Sequence, residues 1–315
     1  MEQLFVYNRE EQRVLQQTKP WLKDPQYFKR VRISALALLK MAMHAKSGGT
    51  IEVMGMLQGK IMGDTFVVID TFPLPVEGTE TRVNAGAEAY EYTVQFMSTS
   101  ERVGRQENAV GWYHSHPSYG CWLSGIDVNT QVEHQKYQEP FLAIVVDPIR
   151  TEAAGRVEIG AFRTYPPDYV VPEDDRSDYQ SIPLNKIEDF GVHAKRYYKL
   201  EVSFFKSKLD AKILDVLWAK HWVSTLAANP ILSSANFISE QLTDLTQKLD
   251  PGKNQNGGGF GGGASGPAGG GGGNTSNSNS NKGSEKMDRV IKDAQKIALE
   301  FSKAAVNQQL REALF

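Results

Sequence analysis

Trp112 to Asp127 reads W-Y-H-S-H-P-S-Y-G-C-W-L-S-G-I-D. His114 and His116 stand two apart, and Pro117 stops the run behind them. Side chains at i and i+2 share one face of a β-strand, so both imidazoles can converge on a single atom. Ser124-Gly-Ile-Asp127 has the form of a helix start, with serine at the cap and a carboxylate three residues in. A strand end carrying two imidazoles, facing a helix start carrying a carboxylate, makes a three-ligand zinc site with one position left for water.

Working outward, the pattern predicts a strand over 109–116 and a helix from Ser124 to about Gln138. Phe141 to Val146 is a nearly continuous apolar run, suited to a strand buried on both faces. Val157 to Tyr165 reads as a further strand. Upstream, Phe28 to Lys46 has apolar residues at helical spacing and ends at Ser47-Gly-Gly49. Ile51 to Ile61 and Thr65 to Phe72, parted by Gly63-Asp64, read as a hairpin. Pro73 to Gly86 breaks both periods and reads as a loop. Ala87 to Val103 is helical, with Tyr90, Val94 and Met97 on one face. Hairpins mixed with helices that return to a central sheet predict an α/β domain, a mixed sheet flanked by helices.

Residues 1–27 read as a polar arm laid on that domain, which spans 28–168. Residues 169–250 read as an acidic linker, a strand marked by the alternation of Tyr198, Leu200, Val202 and Phe204, and a helical extension. Residues 251–284 hold half of the chain's 28 glycines and little that is apolar, which predicts a flexible tether. Residues 285–315 form an amphipathic C-terminal helix whose apolar stripe needs a surface to cover, its own domain or a partner's bundle.

The chain has 315 residues, 40% of them hydrophobic, enough for a sizeable core. A formal charge of -2 and a pI near 6.3 argue against an electrostatically driven nucleic-acid binder. Cys121 is the single cysteine, which excludes an internal disulfide and a multi-cysteine zinc module and fits a reducing compartment. No stretch reaches the ~18 apolar residues of a membrane span, and the N-terminus lacks a signal-peptide pattern. Cytoplasm and nucleus are the expected locations.

A zinc-activated water needs a base. Glu52, in I-E-V-M-G-M-L-Q-G, is the candidate carboxylate, although strand periodicity alone favours an outward-facing residue there. Gly55 to Ile61 is too short for a phosphate-binding Walker loop, and neither H-E-x-x-H nor H-x-x-E-H occurs. The H-x-E and P-C-x-x-C pair of zinc deaminases is also missing. His44, His193 and His221 read as ordinary core histidines, and His134 as a surface or structural residue. Cys121 reads as a small buried loop residue rather than a nucleophile.

E-x-[apolar]-G at Glu52 to Gly55, then H-S-H-P, seven residues and S-G-I-D, resembles the signature of the JAMM (MPN+) metalloproteases. The likeness covers about residues 1–250. P-V-E-G-T-E-T-R-V-N-A (75–85), A-Y-E-Y (89–92), G-A-F-R-T-Y-P (160–166) and I-P-L-N-K-I-E-D-F-G-V-H (182–193) are similar to the branch that works in the signalosome. The family pattern has glycine where this chain has Ser118.

The resemblance implies a zinc-dependent isopeptidase that removes a ubiquitin-like modifier from cullins. His114, His116 and Asp127 would hold one zinc per chain, Glu52 would be the general base, and Ser124 would donate to the oxyanion. The implied partners are the other signalosome subunits, a second MPN-domain subunit among them, with modified cullins as substrate and neither nucleic acid nor membrane involved. Alternatives are a proteasome-lid-type deubiquitinase and a non-catalytic MPN scaffold. The family also implies latency until assembly, and the loop 73–86, with Glu77, Glu80 and Arg82, is the candidate screen over the metal.

Overall fold

The structure, a computed structural model, describes residues 2–76, 78, 87–167, 169–171, 180–227, 234–249 and 276–314. The chain forms two compact units, Met1–Ala228 and Asn229–Phe315. The first contains α1 (Arg9–Thr18), β1 (Arg30–Ser34), α2 (Ala35–Gly48), β2 (Met54–Met62), β3 (Thr65–Pro73), α3 (Ala87–Arg102) and β4 (Asn108–Ser115). These are followed by α4 (Gly125–Gln138), β5 (Leu142–Asp147), α5 (Pro148–Ala154), β6 (Glu158–Thr164), α6 (Ile187–His193), β7 (Tyr197–Phe205) and α7 (Lys208–Ala227).

The seven strands close into a barrel in the order β1-β3-β2-β4-β5-β6-β7. The sheet is mixed: β1 runs parallel to β3 and β7, β4 runs parallel to β5, and the other pairs are antiparallel. β2 and β3 form the expected hairpin, turned at Gly63 with φ 58°. A parallel β4/β5 pair cannot be joined by a tight turn, and α4 supplies the crossover. That crossover puts the start of α4 beside the end of β4. Every residue of β5 is buried, because both of its faces are covered. Leu142, Ile144 and Val146 join Tyr113 and Met41 in one cluster, while Ala143 and Val145 join Trp112, Leu123 and Val128 in the other. Trp112 therefore faces α4, and the period of two carries His114 to the same side.

Several expectations change. The stretch read as one helix over 28–46 is a strand followed by a helix: Val31 and Ile33 are fully buried in β1, and Ser34 caps α2 through its hydroxyl. The strand placed in a separate extension is β7, which pairs with β6 and β1 and closes the barrel, so the first unit runs well past residue 168. On α3 the inward residues are Ala89, Tyr92, Phe96 and Met97, and Tyr90 and Val94 are exposed. Residues 1–27 include a helix: α1 is capped by Asn8, and the Gln12 amide both donates to Ile61 O and accepts from Ile61 N. Among the described residues, no helix is long and apolar enough to cross a membrane.

The second unit contains α8 (Ala235–Leu249) and α9 (Ser276–Leu314), so the C-terminal helix begins ahead of the expected 285. Lys248 joins them through a buried ion pair with Asp293 at 2.8 Å, supported by Asp244 at 2.7 Å. The rest of the expected tether (251–275), Asn229-Pro230, residues 172–179, and Glu77, Glu80 and Arg82 of the loop 73–86 lie outside the described residues.

Between β4 and α4 the chain turns back through Ser118 and Gly120, both left-handed at φ 74° and 93°. Glycine takes that conformation freely, whereas a residue with a Cβ is strained by about 1 kcal/mol or more. The glycine expected in place of Ser118 matches this geometry. Ser118→Gly is therefore expected to raise stability by about 1 kcal/mol, measured by urea unfolding. An unchanged or lower midpoint would show that the serine is not strained.

Candidate metal centre

β4 presents His114, and the ladder to β5 continues one bond further, with His116 N donating to Val146 O at 2.9 Å. Both imidazoles are buried, at 0% and 1% exposure. His114 stacks on Trp112 at 4.7 Å between ring centres, and the Trp112 indole N–H donates to Gln131 Oε1 on α4 at 2.8 Å. Ser115 points the other way: its hydroxyl accepts from Val53 N at 2.9 Å and its N–H donates to Val53 O at 3.0 Å. Those two bonds hold the segment that carries Glu52 against the strand end.

At the start of α4, Ser124 and Asp127 form a capping box. Ser124 donates to Asp127 Oδ2 from its backbone N–H at 2.8 Å and from its hydroxyl at 2.7 Å. The same Oδ2 lies 3.4 Å from His114 Nε2 and 3.5 Å from His116 Nε2, and the two Nε2 atoms are 2.9 Å apart. One ligand atom from each residue falls within 4.8 Å of the others.

Three acceptor-capable atoms thus crowd one buried point. His116 Nδ1 donates to Gly120 O at 3.0 Å, which leaves the Nε2 lone pair facing the centre. Burial drives the His116 pKa down, to about 4, against the pull of Asp127. Burial also opposes charge on His114, but the Asp127 carboxylate outweighs it and raises that pKa. Burial works against ionising Asp127 too, yet the imidazoles hold its pKa well below the usual carboxylate range. Lone pairs facing each other across 2.9 Å are repulsive unless a proton or a cation lies between them. Two imidazoles and a carboxylate are a donor set suited to a divalent metal ion. His114 Nδ1 is buried without a hydrogen-bond partner among the described residues, so only His116 has its outer nitrogen anchored.

Glu52 precedes β2 rather than lying within it, and it is 4% exposed. Strand periodicity does not govern it, and its side chain turns inward. Tyr119 donates its hydroxyl to Glu52 Oε1 and stacks its ring on His116 at 4.4 Å. Burial raises the Glu52 pKa to about 7; His114 and Lys186 pull against that rise and Asp127 adds to it. The sequence reading missed Tyr119 and missed Asp147, whose buried carboxylate accepts from Ser118 N and Gly120 N. The signal available for Asp147 was Asp-Pro after an apolar run, a helix-cap pattern that says nothing about the loop it holds.

The remaining candidates are structural. His134 stacks on Phe141 at 4.7 Å, and His44 Nδ1 pairs with the Tyr113 hydroxyl at 2.9 Å. The His193 ring lies against Gly125, and its Nδ1 meets Asp189 Oδ1 at 3.1 Å. Burial pushes the Cys121 thiol up, away from the reactive thiolate.

Residues 26–140 match the family described as JAB1/Mov34/MPN/PAD-1 ubiquitin protease, and residues 227–315 match the Cop9 signalosome subunit 5 C-terminal domain. The chain is 61% identical to COP9 signalosome complex subunit 5a of Arabidopsis thaliana over 252 residues, which is 80% of this chain and 71% of that protein. It is 51% identical over 314 residues to subunit 5 of Dictyostelium discoideum, covering 100% of this chain and 90% of the relative. Subunit 5 of Drosophila melanogaster is likewise 51% identical over 314 residues, 91% of its length. The chain belongs to the COP9 signalosome subunit 5 family, with a JAB/MPN domain ahead of that family's C-terminal domain.

Proposed function

We propose that this chain is a zinc-dependent isopeptidase that removes a ubiquitin-like modifier from cullins, acting as the catalytic subunit of a signalosome in the cytoplasm and nucleus. The observation that carries this reading is the convergence of His114, His116 and Asp127 on one buried point, with the buried Glu52 carboxylate beside them on the Tyr119 hydroxyl. Those three residues would hold the ion. Bound there, zinc supplies a Lewis acid and an acidified water.

The chain's own groups supply the proton traffic. Tyr119 occupies Glu52 Oε1, which leaves Oε2 to take the proton of the attacking water and return it to the departing lysine nitrogen. A base with a pKa about 7 can do both near neutral pH. Ser124 has one hydroxyl proton, donated here to Asp127 Oδ2. Turning it toward the oxyanion leaves Asp127 Oδ2 still held by the Ser124 backbone N–H. The relatives' names place them in the COP9 signalosome, which supports assembly of this chain with other subunits; a second MPN-domain subunit among them is part of the proposal.

Latency until assembly belongs to the same proposal, with the loop 73–86 over the site and Glu77, Glu80 and Arg82 as its acting residues. Gly78, a described residue of that loop, passes so close to the base that an added Cβ would lie 1.9 Å from Glu52 O.

Purified chain is expected to hold one zinc, by elemental analysis, and His116→Ala to lose it. Glu52→Gln should keep the zinc and cleave a cullin conjugate at least ~10²-fold more slowly. Full turnover by Glu52→Gln would end the proposed mechanism. Deleting residues 77–82 should raise cleavage of a small fluorogenic substrate by the free chain, and an unchanged rate removes the screening role. A pH series tests the burial of the base. The Glu52 pKa is raised from 4.5 to about 7 in the folded chain, so its stabilising share is complete below 4.5 and is lost as pH rises through 7. Metal-free Glu52→Gln should therefore unfold like the parent near pH 4.5 and be more stable by about 3 kcal/mol above pH 7. A pH-independent difference would mean that Glu52 is solvated.

A further inference from the structure

We propose that Asp147, which takes no part in the chemistry above, is the positioning residue that aims both His116 and Glu52. It acts through the three-residue loop Ser118-Tyr119-Gly120, and the inference rests on the reading of the site as a zinc centre. Asp147 ends β5 and is 0% exposed. Its Oδ1 accepts from Ser118 N at 3.1 Å, and its Oδ2 accepts from Gly120 N at 2.8 Å. The two backbone N–H groups that flank Tyr119 are thus clamped to the two oxygens of one carboxylate. Arg150 closes the clamp from the other side, donating from Nε to Ser118 O at 3.0 Å and from Nη2 to Ser181 O at 2.7 Å.

What the loop touches gives the clamp its meaning. Gly120 O accepts from His116 Nδ1 and so selects the tautomer that leaves Nε2 free. Tyr119, between the clamped groups, donates to Glu52 Oε1 and lays its ring on His116. Two left-handed residues in a three-residue loop do not hold themselves, so an outside anchor sets the geometry. Asp147 also caps α5 by accepting from Arg150 N at 2.9 Å. Capping alone requires only one acceptor, which asparagine or serine would supply. Acceptors on both oxygens require a carboxylate, because asparagine would set its NH2 against one of the loop N–H groups.

The test uses the full chain, with zinc affinity read by chelator competition and ligand geometry by the visible spectrum of the cobalt-substituted protein. Asp147→Asn is expected to weaken zinc binding ~10–100-fold and to shift the cobalt spectrum. Tyr119→Phe should keep the zinc affinity and the spectrum, and lower kcat about tenfold at unchanged KM, because it releases only the base. Asp147→Asn with the parent's affinity and spectrum overturns the proposal, whatever its stability. Should Asp147→Asn fail to fold, Arg150→Lys decides by the same criterion: it keeps the charge and loses the paired donors to Ser118 O and Ser181 O. His116→Ala is the control that separates the two readings. If it binds zinc as the parent does, the zinc centre itself is refuted; if it loses zinc while Asp147→Asn does not, only the positioning role fails.

Discussion

Two imidazole nitrogens 2.9 Å apart, with a carboxylate oxygen 3.4 and 3.5 Å from them, at a point water scarcely reaches, are the constraint on which this structure turns. Buried acceptors without donors cost several kcal/mol, so a fold that assembles them needs an ion or proton at the centre and fixed orientations around it. The topology does much of the assembly. A parallel β4/β5 pair forces a crossover, and the helix of that crossover must start beside the end of β4. The positive helix start then faces two buried imidazoles and keeps Asp127 ionised among them. Placement of the carboxylate thus follows from the connection between two strands.

Those parts were legible in the sequence because they are local. An i, i+2 histidine pair and a Ser-x-x-Asp cap each lie within a few residues, and the elements carrying them fall close to where the pattern put them. β1 was not legible: Ile33, Met41 and their neighbours also fit one continuous helical stripe, and only pairing with β3 and β7 makes 30–34 extended. β7 was visible as a strand but not as the seventh stave of the barrel, since its partners are remote in sequence. Glu52 was misread as a strand residue for a related reason. Ser115 holds the segment before β2, and that contact lies 62 residues away. Asp147 and Tyr119 carry no motif, because their effect lies in bonds to backbone and side chains that no spacing rule encodes.

The two acids of the site show how surroundings divide their roles. Asp127 and Glu52 share a buried region and burial opposes the charge on each, yet their pKa values move in opposite directions. Asp127 receives the Ser124 N–H and hydroxyl, sits in the first turn of a helix and faces both imidazoles, so it stays ionised and suits a cation. Glu52 receives one phenol hydroxyl and has no helix start behind it, and the charge on Asp127 pushes its pKa further up. A carboxylate so poorly supplied with donors gains and loses a proton near neutrality, which is what a general base must do. The difference between the two proposed roles, ligand and base, is therefore a difference in donors. It is drawn by the capping box at Ser124 on one side and by the single reach of Tyr119 on the other. Moving a donor from one carboxylate to the other would exchange their aptitudes while leaving every strand of the barrel in place.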